Sequence, residues 1–433
     1  MSRNSRRRSR YRARGSFYFI WAAFFTVAAT AALLIAGGYT LSLPDRSLDR
    51  NGLLVLNSVP GKAFITINNR VHKDQTSARV KLRPGHYHVK VDKPGVIPWE
   101  KDIVIERGEA VFEENILLFE SPTQRRSLAS GPVAAHALSP NGRFVAYAQP
   151  ETGGTAIWWT DVTNSTPAAK LTVVPTAEPL TALRVNGDAS RVLLSTATAT
   201  FVVRTDTSQG PVRVDAGGAV FFHPADSDRL IAQLGSSVAN IAIADGSRQT
   251  LLDQVTTTAA TSDALYATVP AGVLRYDLRS GSQKTQPLAH PVRELTSVPS
   301  TDAVLAKDTR SALYLISRDS TVEITGTAGA YTALGTTHVA YSSGNEIRVW
   351  QSETKSSKLV TRLSTAPQAI TLMPSGHYLL YLNAGELHSI ADDGSNDEVL
   401  IGGMAGTAQL ADDFNAIARS DIGEIFSIKL LRR

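Results

Sequence analysis

The pattern of apolar and polar residues divides the chain into one long apolar run followed by many short alternating runs. The apolar run is Phe17–Leu43, and it contains no charged residue. A helix needs about 20 apolar residues to cross the hydrocarbon core of a bilayer, and this run is longer. Aromatic residues such as Trp21 cluster at its start, as they do at membrane interfaces. We therefore predict one N-terminal transmembrane helix over residues 17–43.

Beyond a short polar linker at residues 44–50, the runs become short and alternate with period two, which is typical of β-strands. Within 86–91, for example, Tyr87, Val89 and Val91 share one face, and polar residues occupy the other. Such alternation indicates an antiparallel sheet with one solvated face. We predict a small all-β module over residues 51–120, with strands at Leu53–Leu56, Phe64–Ile67, His86–Val91, Trp99–Ile105 and Val111–Leu118.

The remainder of the chain, residues 121–433, contains degenerate internal repeats. Ala137–Tyr147 and Thr371–Tyr381 both show an apolar pair, a Pro-x-Gly turn and a strand that ends in tyrosine. Weaker copies lie between them, roughly 40 residues apart, which is the length of a four-stranded propeller blade. We predict a β-propeller with eight blades preferred and seven possible, its last blade completed by Gln124–Leu128. The second strands of the eight units are expected at Val145, Leu193, Ile231, Tyr266, Leu305, Val339, Leu380 and Ile417.

Charge is concentrated at the N-terminus, where seven arginines and no acid precede Gly15. Such a cluster could bind nucleic acid, but basic residues beside a first apolar helix more often stay cytoplasmic. We favour the topological interpretation, because the cluster directly precedes the apolar run. Residues 1–16 then form a basic cytoplasmic tail, and the rest of the chain is extracytoplasmic. The residues predicted to set this topology are Arg6, Arg7, Arg8, Arg10, Arg12, Arg14 and Trp21.

A cleaved signal peptide is the alternative to an uncleaved anchor. Its apolar region would normally span about 7–15 residues and end at a small-x-small site. The run observed here is longer, and no such site follows Tyr39. We therefore expect the anchor to be retained. The absence of cysteine excludes disulfide bonds and thiolate metal sites.

Residues 53–69 and 82–109 resemble the PEGA domain, a small β-sandwich of exported and surface-layer-associated proteins. The naming turn corresponds to Pro60–Ala63, with its glycine one place early, and Asn68-Asn69 stands where the family has Asp-Gly. The usual tyrosine of the closing segment is replaced by Val96. The resemblance implies an extracytoplasmic spacer or interaction module without an agreed catalytic site.

The repeats resemble the TolB-type and WD-repeat-like propeller blade. Ser139-Pro140-Asn141-Gly142, followed by Phe144–Tyr147, matches the Ser-Pro-Asp-Gly fingerprint best, and Met373–Gly376 is the second match. The Trp-Asp and Gly-His signatures of true WD repeats are absent. This resemblance implies a ring with wide faces and a central channel.

Candidate chemistry in the sequence is sparse. His86 and His88 share a strand face, and Asp392–Asp397 resembles a calcium loop, but neither has the remaining ligands. Turns at Asp245–Ser247 and Ser280–Ser282 occupy the same place in their repeats, so a recurrent hairpin turn explains the acidic segment. We predict no metal and no cofactor. The other residues considered were the histidines near strand starts and the densest aromatic pair of the ring: His136, His223, His377, Trp158 and Trp159.

The predicted function is non-catalytic: an anchored scaffold of the cell envelope, in the plasma membrane, whose propeller binds a protein or polysaccharide. Its partners would be the lipid bilayer and that envelope ligand, and no nucleic acid. The alternative is an anchored propeller hydrolase or lyase, which would bring several carboxylates and a histidine together at the channel mouth. A third hypothesis is a sensor that signals through a second membrane protein.

Overall fold

The first element of the structure is the helix α1, Arg7–Ala36, followed by the paired strands β1 (Tyr39–Ser42) and β2 (Ser47–Arg50). The computed structural model of the protein describes residues 7–36, 39–42, 47–129, 131–163, 167–405, 408–411, 415–420 and 422–431. The predicted helix boundaries are therefore wrong at both ends. The helix extends back into the basic segment, and the last residues of the predicted helix form strand β1. Part of the predicted linker is strand β2.

Among the described residues, none of the helical segments combines the length and the apolar character that crossing a membrane requires. Of the residues predicted to set the topology, Arg6 lies outside the described residues, whereas Arg7, Arg8, Arg10, Arg12, Arg14 and Trp21 lie in α1. The indole ring of Trp21 packs edge-on against Phe24, with the ring centroids 6.0 Å apart.

The chain divides between Leu118 and Phe119 into two units. The first unit contains a β-sandwich of two sheets, with strand orders β6-β3-β9 and β5-β4-β7-β8. Its strands are β3 (Gly52–Val59), β4 (Phe64–Ile67), β5 (Arg70–Gln75), β6 (Ala78–Leu82), β7 (Gly85–Asp92), β8 (Trp99–Ile105) and β9 (Ala110–Leu117).

The core of the sandwich lies between its two sheets, where alternate strand residues meet. Leu54, Leu56 and Ile65 are fully buried there, as are Val89 and Val91. The predicted inward face of β7 is thus confirmed. The five predicted strands are present, but β5 and β6 were missed. β5 is almost wholly exposed and lacks apolar alternation, which explains the omission. The predicted antiparallel pairing holds for most of these strands, but β3 and β9 pair in parallel.

Two asparagines make the tight turn between β4 and β5. Asn68 and Asn69 have φ angles of 46° and 64°, in the left-handed region that asparagine tolerates better than most residues. Their substitution for the Asp-Gly turn expected from the resemblance is therefore compatible with the hairpin.

In its described residues, the second unit forms eight four-stranded sheets. Strand β10 (Phe119–Ser127) belongs to the sheet of blade 8, together with β39 (Gln409–Leu410), β40 (Asn415–Arg419) and β41 (Ile425–Leu431). Blades 1 to 4 are formed by β11 (Ala135–Leu138), β12 (Phe144–Glu151), β13 (Gly154–Asp161) and β14 (Ala169–Val174); β15 (Ala182–Val185), β16 (Arg191–Ser195), β17 (Thr200–Arg204) and β18 (Val212–Val214); β19 (Val220–His223), β20 (Asp226–Leu234), β21 (Ser237–Ala242) and β22 (Arg248–Leu252); and β23 (Thr258–Ala260), β24 (Ala264–Val269), β25 (Gly272–Asp277) and β26 (Gln283–Gln286). Blades 5 to 7 are formed by β27 (Val292–Ser297), β28 (Ala303–Asp308), β29 (Leu313–Ser317) and β30 (Thr321–Thr325); β31 (Tyr331–Leu334), β32 (His338–Ser343), β33 (Glu346–Gln351) and β34 (Ser356–Arg362); and β35 (Ala369–Leu372), β36 (Tyr378–Asn383), β37 (Glu386–Ala391) and β38 (Glu398–Gly402).

The eight-bladed prediction is confirmed, and the alternative of seven blades is wrong. Each residue used to anchor a second strand lies in the second strand of its blade. The ring is closed by β10, which pairs with β41 through Gln124–Ser127 in the last sheet. Apolar clusters lie between consecutive blades, and one of them joins Ile417 of blade 8 to Val145 of blade 1. Because the ring is closed, blades 1 and 8 pack against each other and neither leaves an uncovered side.

Candidate functional site

The wall of the central channel is formed by the first strand of each blade. The first strands of neighbouring blades contact one another, as in the pairs β11 with β15, β23 with β27 and β31 with β35. Such contact requires these strands to lie innermost, where the sheets of a propeller converge. Polar side chains on these eight strands are therefore the natural candidates for ligand contacts.

Two cations, one on this wall and one on the second strand behind it, lie against aromatic rings of the next blade. The Arg184 guanidinium carbon of β15 lies 4.5 Å from the ring centroid of Phe221 on β19. The Lys307 ammonium of β28 lies 5.5 Å from the ring centroid of Tyr331 on β31. It also donates a hydrogen bond to the carbonyl oxygen of Gly329, 3.1 Å away. Both cations are thus positioned by an aromatic face across a blade boundary.

Their positive charges are not balanced by ion pairs. Within the described part of the chain, no carboxylate lies within ion-pairing distance of Arg184 or Lys307, whereas Arg213 on the outer strand of blade 2 pairs with Asp215 at 3.0 Å. An aromatic face attracts a cation without neutralising it. Arg184 is exposed and Lys307 is 6% exposed. Of the two, the Arg184 guanidinium is therefore accessible from the channel, whereas Lys307 is buried directly opposite Glu294 in the β27–β28 ladder.

The pKa directions of the two groups agree with their crowded surroundings. Burial lowers the pKa of Lys307, and the nearby Arg293 lowers it further, while Glu294 opposes this shift. The pKa of Arg184 is lowered too, because surrounding protein atoms partly desolvate its guanidinium although the residue as a whole is exposed. Desolvation disfavours the charged form of both groups, so an anionic partner would relieve an existing electrostatic cost.

The inner strand of blade 5 has four exposed polar residues, more than any other inner strand among the described residues. Arg293, Glu294, Thr296 and Ser297 are all exposed along β27. The Thr296 hydroxyl lies 3.3 Å from the Tyr331 hydroxyl. Glu294 is the single carboxylate on the eight inner strands, counted over the described residues. The hydrolase hypothesis called for several carboxylates, and the described wall supplies one.

Many of the remaining acids cap hairpin turns away from the channel wall. Asp393 accepts hydrogen bonds from the backbone N–H and the hydroxyl of Ser395, at 3.0 and 2.6 Å. Asp245 accepts one from the backbone N–H of Ser247 at 2.9 Å. The recurrent hairpin turn predicted for these segments is confirmed. Across the described residues, no group of three or more His, Cys, Asp or Glu could hold a metal ion.

The carboxylate of Asp161, at the end of β13, shows how strongly such a turn binds its acid. Burial alone would raise the pKa of Asp161, but hydrogen bonds from Thr163 and from Arg143 outweigh burial and lower it to about 2. The Arg143 Nε lies 2.9 Å from the carboxylate. Asp161 therefore stays ionised throughout the physiological pH range.

The histidines that the sequence singled out do not come together. His136, His223 and His377 belong to blades 1, 3 and 7. Burial lowers the pKa of His136 and of His223, whereas His377 is exposed beside Asp392 at 3.7 Å. In the sandwich, His86 and His88 occupy the exposed face of β7, as predicted.

The aromatic pair of the ring is part of the packing of blade 1. The Trp158 ring stacks on Tyr147, with the ring centroids 6.1 Å apart. The Trp159 ring stacks on Phe144 at 5.0 Å. The preferred interpretation, blade packing rather than sugar stacking, agrees with these contacts.

Sequence reasoning missed Arg184, Phe221, Lys307 and Tyr331. A signal existed for Lys307, since a lysine within the apolar run VLAKD would be expensive to bury without a purpose. The pairing of each cation with an aromatic ring was not readable, because the two residues lie in different repeats.

Comparisons with known proteins establish the fold of the second unit. Saccharomyces cerevisiae Sqt1 is 12% identical, covering 72% of this chain and 98% of its own, with a TM-score of 0.50. The C-terminal WD40 domain of Sif2 is 9% identical, covering 70% and 98%, with a TM-score of 0.52. The computationally designed protein Ika8 is 14% identical, with the same coverage and a TM-score of 0.50. The second unit is a β-propeller.

No known protein family matches the sequence, and no curated protein matches it. The similarity to solved structures, at such low identity, describes architecture alone. The function of the propeller therefore has to be argued from its own residues.

Proposed function

We propose that this protein is a membrane-anchored binding scaffold of the cell envelope, whose propeller holds a protein partner at its central channel. The observation that carries this proposal is the channel wall, where the exposed Arg184 and the exposed polar residues of β27 line the inside of a closed ring. Binding residues are commonly presented on such a rigid frame. The PEGA-like sandwich would act as a spacer between anchor and propeller.

The exposure of helix α1 supports the anchoring part of the proposal. Phe19, Phe25, Val27 and Leu33 are between 69% and 82% exposed. Large apolar side chains that are exposed on all sides of a helix require lipid or protein to cover them. The described side chains of α1 are those of residues 18–34 and 36, and the sequence continues without charge to Leu43. The arginines before the run favour a cytoplasmic N-terminus.

Charged substitutions in α1 test the anchor. In Val27→Arg/Leu33→Arg, each arginine costs about 2.5–3.5 kcal/mol at the centre of a membrane helix. We expect the full chain to leave the membrane fraction in carbonate extraction, while the control Thr250→Arg, on the exposed outer strand β22, stays. Protease added outside spheroplasts should remove a C-terminal tag and spare an N-terminal tag. Equal retention of both variants, or a protected C-terminus, would contradict the anchored topology.

Site-specific crosslinking tests the binding part. Because the chain contains no cysteine, a single introduced thiol can carry a photoreactive group without background labelling. Ser297→Cys places this group on the exposed inner strand β27, and Glu323→Cys places it on the exposed outer strand β30 of the same blade. In membranes of the source cells, we expect discrete protein adducts from position 297 alone. Identical adduct patterns at both positions, or none, would reject the channel as the binding surface.

The observations favour binding over hydrolysis. Hydrolysis of a glycosidic bond by paired carboxyl groups needs an acid and a second carboxylate. The described inner strands contribute Glu294 alone, and Arg293 precedes it. Binding needs no second carboxylate, so the residues on the described inner strands are sufficient for it.

A further inference from the structure

We propose that the sandwich binds a second copy of this chain edge to edge, so that both of its sheets continue from one copy into the next. This inference goes beyond the proposed function and does not depend on the channel. Strands β5 and β6 are the edges of the two sheets on one side of the sandwich, and β8 and β9 are the edges on the other side. Each of these four strands pairs with a single neighbour in the described residues, which leaves backbone groups along its outer flank for another strand.

The two sides of the sandwich carry opposite charge. Residues 70–83, which contain β5 and β6, have five Lys and Arg against one Asp, and we call them the basic edge. Residues 99–117, which contain β8 and β9, have six Asp and Glu against two Lys and Arg, and we call them the acidic edge. Charges on edge strands can prevent self-association. Repulsion between copies, however, needs charges of one sign on both edges, whereas opposite signs attract.

Several of these charges have no ion-pair partner in the described part of the chain. They are Arg70, Lys73, Arg79, Lys81 and Arg83 on the basic edge, and Glu106, Glu109 and Glu114 on the acidic edge. The other three acids of the acidic edge pair within the sandwich, as Glu113 does with Lys101 at 2.7 Å. The two edges can therefore pair with each other without breaking an existing ion pair.

The strand directions allow both sheets to continue at once. Because β5, β4, β7 and β8 pair antiparallel in turn, β5 and β8 run in opposite directions. Strands β6 and β9 also run in opposite directions, since β6 is antiparallel to β3 and β9 is parallel to it. A second copy in the same orientation, placed beside the first, brings its β5 antiparallel to β8 and its β6 antiparallel to β9. Such a contact is heterologous, because each copy uses a different edge.

The register of the β6-β3-β9 sheet identifies side chains that meet across this interface. Arg79 on β6 and Phe112 on β9 both lie opposite Val55 on β3. A copy displaced perpendicular to the strands therefore places its Arg79 beside Phe112 of the first copy. Phe112 is 61% exposed, and Glu114, two residues further along β9, is exposed as well. An arginine beside an aromatic ring and diagonal to a glutamate is attracted by both.

Exposed apolar side chains favour a protein partner over anionic lipid headgroups. Val71 on β5 is 73% exposed, and together with Phe64 it lines a groove beside the basic edge. On the acidic edge, Val104 and Phe112 are also exposed. An interface between copies buries these side chains and pairs the strand edges. A lipid headgroup would neutralise the basic edge but would do neither.

Crosslinking between two single-cysteine chains tests this arrangement. Ser77 lies two residues before Arg79 on the basic edge, and Asn115 follows Glu114 on the acidic edge. Both residues are exposed and uncharged, and the chain has no cysteine of its own. The purified full chain, held in a neutral detergent, is treated with a short bis-maleimide. We expect crosslinked dimers from a mixture of Ser77→Cys and Asn115→Cys chains, and few or none from either variant alone.

Charge-reversal variants locate the contact. In the same mixture, Arg79→Glu should lower the dimer yield about tenfold, because like charges then face each other, and added salt should lower the yield of the parent mixture. Arg79→Glu/Glu114→Arg should restore the yield, because the two charges have exchanged places. This recovery would show that Arg79→Glu acts at the interface and not on folding. The control Lys358→Glu, on the exposed outer strand β34 of blade 6, should change the yield less than about twofold.

Four outcomes would overturn the inference: no dimers from the mixture, equal yields from the mixture and from either variant alone, equal effects of Arg79→Glu and Lys358→Glu, or no recovery in the double reversal. Loss of the dimers when phosphatidylglycerol is added to the detergent would assign the basic edge to anionic lipid headgroups instead. Crosslinking at position 297 is a separate measurement on the propeller. A failure of the edge contact therefore leaves the proposed binding function standing.

Discussion

Replacing Asp302 with alanine tests whether a buried ion pair holds blades 4 and 5 together. Asp302 lies in the turn between β27 and β28, and its carboxylate accepts hydrogen bonds from Arg275 Nε at 3.0 Å and Nη2 at 2.6 Å. The same carboxylate accepts the Thr261 hydroxyl at 3.1 Å. The Asp302 carbonyl accepts the Tyr266 hydroxyl at 3.0 Å. The Asp302 side chain of blade 5 thus accepts hydrogen bonds from two residues of blade 4, Arg275 and Thr261.

The expected cost follows from the burial of Arg275, which is 5% exposed. Removing one member of a buried ion pair costs about 3–5 kcal/mol, because the remaining charge loses its partner. Asp277 still lies 3.3 Å from Arg275 Nη2, so part of the charge stays compensated. We therefore expect Asp302→Ala to lower the free energy of unfolding by about 3 kcal/mol, at the lower end of this range.

Urea unfolding of the full chain, followed by tryptophan fluorescence, measures this loss. The matched control is Asp319→Ala, since Asp319 pairs with Lys284 at 2.9 Å but is 78% exposed, and should cost less than about 1 kcal/mol. The double variant Arg275→Met/Asp302→Leu should recover most of the loss, because no buried charge is left alone. Equal effects of the Asp302 and Asp319 variants would refute the reasoning, as would a double variant less stable than Asp302→Ala.

Three further predictions concern a turn, an acid and a tyrosine. Gly142→Ala should cost about 1–3 kcal/mol more than Gly153→Ala, because both have positive φ but an added Cβ at Gly142 would overlap the Ala411 carbonyl, while Gly153 faces open space. Asp161 should contribute on the order of 2 kcal/mol above about pH 4, since its folded pKa of about 2 lies below its ordinary value, and this stability is lost as pH falls towards 2. Tyr381→Phe should cost about 1.5–3 kcal/mol, because its hydroxyl donates to the Asp397 carboxylate at 2.7 Å.

Urea midpoints of purified variants check each of these values. Equal losses from the two glycine variants would show that the close approach between blades 1 and 8 is not rigid. A stability difference between wild type and Asp161→Asn that persists unchanged from pH 5 to pH 2.5 would contradict the depressed pKa. If Tyr381→Phe leaves the urea midpoint unchanged, solvent replaces the tyrosine hydroxyl at Asp397.

The propeller was largely predictable from the sequence because each blade repeats the same pattern of turns and alternating strand residues. The terminal tyrosine of the repeats is an example. Tyr147 lies opposite Trp158, and Tyr381 lies opposite His388, at corresponding places on the second and third strands. Turn chemistry and period-two alternation act over a few residues, so they survive in degenerate copies.

Features that depend on distant partners were not predictable. The edge strand β5 was missed because exposure on both faces removes the alternation that marks a strand. The end of α1 before Tyr39 was misplaced because the apolar run continues beyond Gly37-Gly38. Arg184 and Lys307 were missed because their aromatic neighbours come from other blades, and one sequence does not show which blade positions face each other.

The pairing of β10 with β41 has a consequence for how the protein is made. Synthesis produces Phe119–Ser127 before any other strand of the ring and Ile425–Leu431 after all of them. Throughout elongation, β10 therefore waits with an unsatisfied edge, which is a target for proteases and for aggregation. A chain that stops before residue 425 keeps that edge open permanently. Pairing of the last strand thus covers the edge that a partly synthesised ring exposes.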